Sequence, residues 1–168
     1  MLIFLLGMMG SGKSTLGKEL AEKLGYTFLD LDAVIEEREQ RTIAQIFEQE
    51  GQERFRELEH EALQSIIANY SQAIVATGGG TPCFFDNMAL MNAAGETIFL
   101  DVPPEILAER LSQSDLNLRP LLTGKTQSEL ISFLGKTLAE RRQFYVQAKH
   151  LVAAPTYTSN ALLALLRL

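Results

Sequence analysis

The sequence predicts an α/β fold in which parallel β-strands are covered on both faces by helices. Short apolar runs alternate with longer segments of helical period along all 168 residues, which is the pattern of a parallel sheet with helical crossovers. The first apolar run ends in a glycine-rich loop, Gly7–Ser14, that leads into a segment of helical period. The chain has no internal repeat and no Pro/Gly/Ser-rich linker, so we expect a single domain over residues 1–168.

Five apolar runs have the length and composition of strands. They are Leu2–Leu6, Thr27–Leu29, Ala73–Thr77, Thr97–Asp101 and His150–Ala153. Helical periodicity predicts helices at Ser14–Leu24, Thr42–Glu50, Glu53–Asn69, Pro103–Leu111, Gln127–Lys149 and Asn160–Leu168. The polar stretch Ser112–Gly124 has no helical period, and we predict a loop there. In a fold of this kind, ligands bind at the carboxyl ends of the strands.

The composition excludes several classes of protein. Hydrophobic residues make up 46% of the chain and charged residues 21%, which are values of a globular protein rather than a disordered or fibrous one. The net charge is −6, from 15 basic and 21 acidic residues. This charge disfavours a nucleic-acid-binding protein, because attraction to the phosphate backbone needs a basic surface.

The sequence also indicates a compartment. No apolar run reaches the ~18 residues that a membrane span needs, so we expect no membrane partner. Met1–Met9 is apolar but lacks the basic region and the cleavage site of a secretory signal. The single cysteine, Cys83, rules out an internal disulfide and fits a reducing environment. We therefore expect a cytoplasmic protein.

Gly7–Ser14 matches the phosphate-binding pattern G-x-x-x-x-G-K-[ST] after a strand and before a helix, which is the context that this motif requires. Its glycines let backbone N–H groups turn inward around phosphate oxygens at a helix N-terminus. Lys13 adds a positive charge over the β- and γ-phosphates, and the Ser14 hydroxyl is a ligand for Mg²⁺. The loop predicts nucleotide binding but does not say what receives the phosphate.

Two carboxylates, Asp30 and Asp32, follow the second predicted strand. Strand alternation puts both on the same side, at the carboxyl end of a strand and near the phosphate loop. One carboxylate is suited to holding a metal-bound water, and the other to accepting a proton from a hydroxyl group. The alternative is an ordinary helix cap, with Asp32 leading into a helix over Ala33–Arg38.

Two further features suggest a small ligand. Arg56 and Glu59 are three residues apart on a predicted helix, so Glu59 can hold the guanidinium in place; the alternative is a solvated surface pair. Gly78, Gly79 and Gly80 end the third strand, where three glycines cost backbone entropy. That cost suggests close approach of the backbone to a ligand, and a plain flexible turn is the alternative.

Three arginines are candidates for binding an anion. Arg119 lies in the polar loop, and Arg141 and Arg142 lie on the helix that follows. A guanidinium offers a planar fork to a carboxylate or a phosphate. An arginine carried by a lid over a γ-phosphate stabilises the transferred charge, although Arg119 taken alone also fits an incidental loop residue.

Taken in order, these motifs resemble the shikimate kinase family. The series comprises the phosphate loop, D-x-D from Asp30, F-R-x-x-E from Phe55, G-G-G from Gly78, R-P-L-L from Arg119 and R-x-x-x-Y from Arg141. The resemblance covers the chain from Leu2 to about Ala154. It implies the three-layer fold of P-loop kinases, with a five-stranded parallel sheet and helices on both faces. It also implies an acceptor-binding helical segment at about residues 33–62 and a lid at about residues 112–124.

Members of this family transfer the γ-phosphoryl group of ATP to the 3-hydroxyl of shikimate, in the chorismate route to aromatic amino acids. The resemblance therefore implies shikimate as the acceptor, with ATP and Mg²⁺ as cofactors. It places Lys13, Asp32 and Arg119 in catalysis. It implies Ser14 as a direct ligand of Mg²⁺ and Asp30 as a ligand through water. We expect a monomer.

The resemblance also implies two sets of binding residues. ATP is expected to contact Gly10, Ser11, Gly12, Lys13, Ser14, Thr15, Arg110 and Arg119, with Arg110 and the segment around Pro155 along the adenine. Shikimate is expected to contact Asp32, Arg56, Gly78, Gly79, Gly80 and Arg141, with Arg56 and Arg141 on its carboxylate.

The chain departs from the family pattern at three places. Gln143 and Lys149 stand where the family usually has Pro and Ala, and the lid is about two residues longer. These departures leave Arg142 as an alternative to Arg141. For the function, the alternatives are a related gluconate-kinase-like enzyme and a nucleotide-binding module without a small acceptor. The base-reading motif N-K-x-D of GTPases is absent.

Overall fold

A computed structural model describes residues 1–114 and 122–168. The strands are β1 (Leu2–Leu6), β2 (Thr27–Asp30), β3 (Ala73–Ala76), β4 (Gly95–Asp101) and β5 (His150–Ala153). The helices are α1 (Lys13–Leu24), α2 (Leu31–Glu39), α3 (Ile43–Asn69), α4 (Asn87–Ala94), α5 (Pro104–Ser112), α6 (Gln127–Tyr145) and α7 (Ser159–Leu166). A short 3₁₀ turn, Thr81–Cys83, follows β3.

The five strands form one parallel sheet in the order β2-β3-β1-β4-β5. The predicted fold class is confirmed. The strand order reverses beside β1, so that β1 lies between β3 and β4. In open α/β sheets, ligands bind at such a reversal, outside the carboxyl ends of the strands.

Alternating residues of β1 join two hydrophobic clusters, one on each face of the sheet. Leu2, Phe4 and Leu6 are buried with side chains of α2 to α6. Ile3 and Leu5 are buried with side chains of α1 and α7. This alternation follows from the two-residue period of a strand, and it produces the three layers of the fold.

Helix α3 begins and bends where the sequence indicates. Thr42 and Gln45 form a reciprocal capping box at its start, as the T-x-x-Q pattern predicts. Gly51 interrupts the helix with a φ of 82°, a conformation that costs glycine little. The two predicted helices, Thr42–Glu50 and Glu53–Asn69, are therefore the two halves of one kinked helix.

The structure differs from the prediction at other places. Helix α4 is not predicted by the sequence pattern, and Asp86 makes no side-chain cap bond at its start. Helix α6 ends at Tyr145, four residues before the predicted end at Lys149. Residues 115–121 of the predicted lid lie outside the described ranges. The single domain over residues 1–168, with its acceptor-binding segment and its lid, stays a prediction. In residues 1–114 and 122–168, no helix is both long enough and apolar enough to cross a bilayer.

Gly95 and Gly135 provide a matched test of the packing. A Cβ on Gly95 would overlap the carbonyl oxygen of Leu2, at the start of the β1–β4 pair. We therefore expect Gly95→Ala to lower the free energy of unfolding by about 1–3 kcal/mol, the usual cost of overpacking. A Cβ on Gly135, in helix α6, would meet Pro104 at an ordinary 3.7 Å, so Gly135→Ala should raise this free energy by roughly 0.5–1 kcal/mol. Urea unfolding measures both changes, and equal stability of the two variants would contradict this packing.

Candidate active site

The phosphate loop joins β1 to α1 and has the backbone that the motif predicts. Gly7, Gly10 and Gly12 have φ values of 145°, 80° and 92°, which side chains with a Cβ rarely adopt. The Lys13 ammonium donates to the carbonyl oxygens of Gly7 at 2.7 Å and Met8 at 2.9 Å. The loop therefore brings a cation and the N-terminus of α1 to one place, as an anion-binding site requires.

Asp30 and Asp32 have different local roles. β2 ends at Asp30, so Asp32 lies in the first turn of α2 and not on the strand. Asp30, rather than Asp32, caps this helix by accepting from the backbone N–H groups of Asp32 and Ala33 at 3.0 and 3.3 Å. A cap at Asp32 is thus wrong. Asp30 and Asp32 do lie on one side near the phosphate loop, as expected, since both line a cleft of about 330 Å³ with it, but a turn of helix rather than strand alternation brings Asp32 there.

The oxygen-bearing side chains of Ser14 and Asp30 lie next to each other and line that cleft. The Ser14 hydroxyl donates to Asp30 Oδ2 at 3.1 Å. No group of three His, Cys, Asp or Glu side chains suited to a metal occurs within residues 1–114 and 122–168. One or two protein oxygens completed by substrate phosphates and water is the arrangement that Mg²⁺ prefers in nucleotide sites. This donor set therefore fits Mg²⁺.

Asp32 has a strongly perturbed acidity. Burial raises its pKa from 3.8 to about 6, and the nearby negative charges of Asp30 and Glu59 act in the same direction, whereas Lys13 opposes them. Desolvation and like charges both disfavour the ionised carboxylate. A carboxylate with a pKa of about 6 is a stronger base than an ordinary aspartate and is still mostly ionised at pH 7.

Arg56 and Glu59 form a buried pair, so the alternative of a solvated surface pair is wrong. Their side chains are 12% and 1% exposed, and Arg56 Nη1 donates to Glu59 Oε1 at 3.0 Å. The guanidinium carbon lies 4.2 Å from the ring centroid of Phe84. Arg56 Nε is buried without a hydrogen-bond partner among the described residues, which is costly unless a ligand supplies an acceptor.

The three glycines after β3 lie against these charged groups. A Cβ on Gly78 would lie 2.9 Å from Glu59 Oε2 and 3.4 Å from Asp32 Oδ1. A Cβ on Gly80 would lie 2.7 Å from both terminal nitrogens of Arg56. The glycines therefore allow close approach, as the sequence suggests, and the groups that approach are the side chains of Glu59, Asp32 and Arg56.

Arg141 and Arg142 are clearly distinguished by their surroundings. A Cβ on Gly79 would lie 2.7 Å from Arg141 Nη1, so Arg141 reaches the glycine segment. No carboxylate of the described chain forms an ion pair with it. Both terminal nitrogens of Arg142 instead donate hydrogen bonds to the carboxylate of Asp101, Nη1 to Oδ2 at 3.0 Å and Nη2 to Oδ1 at 2.9 Å. The geometry thus favours Arg141 over Arg142 as an anion ligand.

Tyr145 belongs to the R-x-x-x-Y motif of the sequence, but no role in the site is predicted for it there. Its hydroxyl donates to the Gly79 carbonyl oxygen at 2.6 Å, and burial raises its pKa to about 12, so the phenol stays protonated. The four-residue spacing from Arg141 puts both side chains on the same face of α6. That spacing is a signal that could have identified Tyr145 as a partner of the glycine segment.

Arg110 lies at a second cleft, of about 430 Å³, next to the phosphate loop. It donates to the Gly10 carbonyl oxygen at 3.2 Å and to the Tyr157 hydroxyl at 2.7 Å. That hydroxyl donates to the Ser11 carbonyl oxygen at 2.9 Å. Tyr157 thus lines this cleft, and it belongs to the segment around Pro155 that the resemblance implies, although no role was given to Tyr157 itself. Arg119 lies outside the described residues, so its role stays a prediction.

Of the remaining expected nucleotide contacts, Gly10 lines the first cleft and Gly12 and Thr15 line both. Ser11 is fully buried and lines neither of them. The parallel sheet, the phosphate loop and the two clefts beside it are those of a P-loop kinase.

Comparison with known proteins gives the family. The family model for shikimate kinase matches residues 9–165. The chain is 49% identical over 152 residues to a shikimate kinase of Phocaeicola vulgatus, covering 90% of this chain and 86% of the relative. The crystal structure of shikimate kinase from Bacteroides thetaiotaomicron aligns with a TM-score of 0.94 at 41% identity, over 99% of this chain and 98% of that one. The structure of an Acinetobacter baumannii shikimate kinase in complex with shikimate aligns with a TM-score of 0.87 at 31% identity, over 99% and 93% of the two chains.

The chain belongs to the shikimate kinase family. The resemblance deduced from the ordered motifs is thus confirmed. Membership in this family argues against both a gluconate-kinase-like enzyme and a binding module without an acceptor.

The acidity of Asp32 predicts opposite effects on activity and stability. A raised pKa means that the folded protein holds this proton more tightly than the unfolded chain, so stability falls as the pH rises from about 4 through about 6. Asp32→Asn removes the charge, and it should therefore raise the free energy of unfolding at pH 7 by up to roughly 3 kcal/mol, at about 1.4 kcal/mol per pKa unit. The same change should lower kcat by roughly 10²–10⁴-fold if Asp32 is the base.

Urea unfolding at pH 4 and pH 7 checks the first effect, because the gain in stability should shrink at the lower pH. The pH profile of kcat/KM checks the second, with an acid limb near pH 6 in the unmodified protein. A variant that is fully active, or one that gains no stability at pH 7, would contradict this assignment.

Proposed function

We propose that this protein transfers the γ-phosphoryl group of ATP to the 3-hydroxyl of shikimate, giving shikimate 3-phosphate and ADP in the route to aromatic amino acids. One observation carries the proposal beyond family membership. Gly78 and Gly79 line the phosphate-loop cleft together with Asp32, while Arg141 lies against Gly79 and Arg56 against Gly80. A nucleotide phosphate and a small anionic alcohol can therefore meet beside this glycine segment.

On the nucleotide side, the backbone amides of Gly10, Gly12 and their neighbours bind the phosphates, and Lys13 neutralises negative charge at the β- and γ-positions. Lys13 exchanges its present bonds to the loop carbonyls for bonds to phosphate oxygens. Arg110 lies along the adenine, because its guanidinium lines the adjoining cleft with Tyr157. Arg119, on the lid, supplies a further positive charge to the transferred group.

On the acceptor side, Arg56 and Arg141 bind the carboxylate of shikimate. Arg56 has a buried Nε that has no protein partner in the described ranges, and a carboxylate oxygen satisfies it. Arg141 approaches the same glycine segment from α6. Two guanidinium groups fix the position and the orientation of the ring, which turns the 3-hydroxyl toward the γ-phosphate.

Asp32 accepts the proton of the 3-hydroxyl as its oxygen attacks phosphorus and the bond from phosphorus to the bridging oxygen of ADP breaks. The raised pKa suits this role, since the carboxylate is ionised at neutral pH and is a better base than an exposed aspartate. Positioning and electrostatic stabilisation supply most of the catalysis in such reactions.

The Ser14 hydroxyl and the Asp30 carboxylate would hold Mg²⁺, Ser14 as a direct ligand and Asp30 through water. The ion would supply positive charge against the negative charge that develops on the transferred phosphoryl group. The lid at about residues 112–124 closes over the phosphates and excludes water, which limits hydrolysis of ATP. We further propose that the protein acts as a cytoplasmic monomer.

A coupled assay of ADP release tests the reaction. With ATP and Mg²⁺, we expect turnover only when shikimate is added, because the arginine pair recognises a carboxylate on a small alcohol. Gluconate and a reaction without acceptor are the controls. Release of ADP at one rate in all three reactions would refute the proposed function.

The neighbouring arginines give a matched pair for the acceptor site. Arg141→Ala removes a cation that has no protein carboxylate, so the KM for shikimate should rise roughly 30-fold or more while the KM for ATP changes little. Arg142→Ala breaks an ion pair with Asp101 that is 43% and 30% exposed. Such a pair contributes only about 1 kcal/mol or less, so the KM for shikimate should stay within about threefold. Steady-state kinetics measure both, and a reversed order of the two effects would exclude Arg141 as the ligand.

A further inference from the structure

A buried chain of hydrogen bonds runs from the surface of α3 to the acceptor arginine. Its members are Arg56, Glu59, Thr81, Asn87 and His60, which we call the Thr81 network. Glu59, Thr81 and Asn87 are fully buried. The network joins α3 to the 3₁₀ turn and to the start of α4, with partners that are 22 and 27 residues apart in the sequence.

Every polar atom of Thr81 is used in this network or in the turn. Its hydroxyl donates to Glu59 Oε2 at 2.7 Å. Its backbone N–H donates to the Gly78 carbonyl oxygen at 3.1 Å, and its own carbonyl oxygen accepts from Asn87 Nδ2 at 2.9 Å. Thr81 is therefore held on three sides, and its hydroxyl has one direction in which to point.

At the outer end of the network, formed by Asn87 and His60, each hydrogen-bond donor and acceptor can be assigned. Because Asn87 Nδ2 donates to a carbonyl, its Oδ1 is the acceptor that faces His60 Nδ1, 2.6 Å away. His60 must then carry a proton on Nδ1. Its ring packs against Phe85, with centroids 4.9 Å apart. This contact anchors the outer end of the network.

Glu59 needs both of its partners. A buried carboxylate is costly unless its oxygens accept hydrogen bonds, and the two oxygens of Glu59 accept from Arg56 and Thr81. Without the Thr81 hydroxyl, Glu59 Oε2 has no other donor in the described ranges. The Glu59 carboxylate would then be free to rotate, and the Arg56 guanidinium would lose the fixed acceptor that lies in its own plane.

The 3₁₀ turn also restrains the Arg56 guanidinium in a second direction, perpendicular to the plane of that group. Phe84 follows the 3₁₀ turn directly and covers one face of the guanidinium at 4.2 Å, a contact that attracts a cation. The backbone N–H of Asn87 donates to the Phe84 carbonyl oxygen at 3.2 Å, which ties this residue to the network. Arg56 is thus held at one edge by Glu59 and on one face by Phe84, and its Nε remains for a ligand.

We propose that Thr81 is a positioning residue for the acceptor: through Glu59, its hydroxyl holds Arg56 in the orientation that binds the substrate carboxylate, and Asn87 and His60 hold Thr81. This inference rests on the proposed function, since it assigns the acceptor carboxylate to Arg56. It adds residues that touch neither substrate.

Thr81→Val and Thr81→Ser form a matched pair that tests the proposal. Valine keeps the shape of threonine but has no hydroxyl, so a buried carboxylate oxygen loses its donor. We expect the KM for shikimate to rise roughly tenfold to a hundredfold, with the KM for ATP within about twofold of the unmodified value. Serine keeps the donor, and its KM for shikimate should stay within about threefold. An unchanged KM in Thr81→Val would overturn the proposal, as would an equal rise in both variants.

A double-mutant cycle separates positioning from a general loss of packing. In an Arg56→Ala background, Thr81→Val should raise the KM for shikimate less than about twofold, because the side chain that it positions is gone. The same fold-change in both backgrounds would show a merely structural role and refute the proposal. If Thr81→Val does not fold, Thr81→Ala gives the same comparison, since it also lacks the hydroxyl and cannot clash.

The unmodified protein is the control that separates the two proposals. If it releases no ADP in response to shikimate, the proposed function fails. If it is active and Thr81→Val binds shikimate normally, only the role of Thr81 fails.

Discussion

The site depends on three consecutive glycines, Gly78 to Gly80, at the carboxyl end of β3. A Cβ on Gly80 or Gly79 would lie 2.7 Å from the guanidinium of Arg56 or Arg141, and one on Gly78 would lie 2.9 Å from Glu59. The side chains of Arg56, Arg141, Glu59 and Asp32 therefore pack against one backbone segment that has no side chains of its own. The entropic cost of three glycines is the condition for bringing these charges within reach of one small ligand.

The charges around that backbone explain the acidity of Asp32. Burial and the carboxylates of Asp30 and Glu59 raise its pKa, and Lys13 only partly compensates. The fold is thus less stable at neutral pH than it would be with a neutral side chain in this place. Sites that need a base in a desolvated cleft commonly accept such a loss, because the features that perturb the carboxylate are those that make it reactive.

The pairing of Arg142 with Asp101 shows how the fold separates two adjacent arginines. Successive residues on a helix point about 100° apart, so Arg141 and Arg142 cannot face the same neighbour. Arg142 binds the carboxyl end of β4, whereas Arg141 faces the phosphate loop and the glycine segment. The buried face of α6, formed by Leu130, Leu134, Leu138 and Tyr145, fixes the rotation of the helix, and the two arginines then point to different neighbours.

The sequence by itself determined the α/β class, the phosphate loop and the family, because apolar runs, helical period and an ordered series of motifs can be read along the chain. It could not reveal α4, whose first residue follows an Asp86 that makes no cap bond, nor that Asp30 rather than Asp32 caps α2. Only the tertiary structure decided that Glu59 is buried, that Arg141 rather than Arg142 lies against the glycine segment, and that Tyr145 and Tyr157 bond to the backbone of that segment and of the phosphate loop. Each of these depends on contacts between elements far apart in the chain, and the choice of partner there follows from packing, which no local pattern encodes.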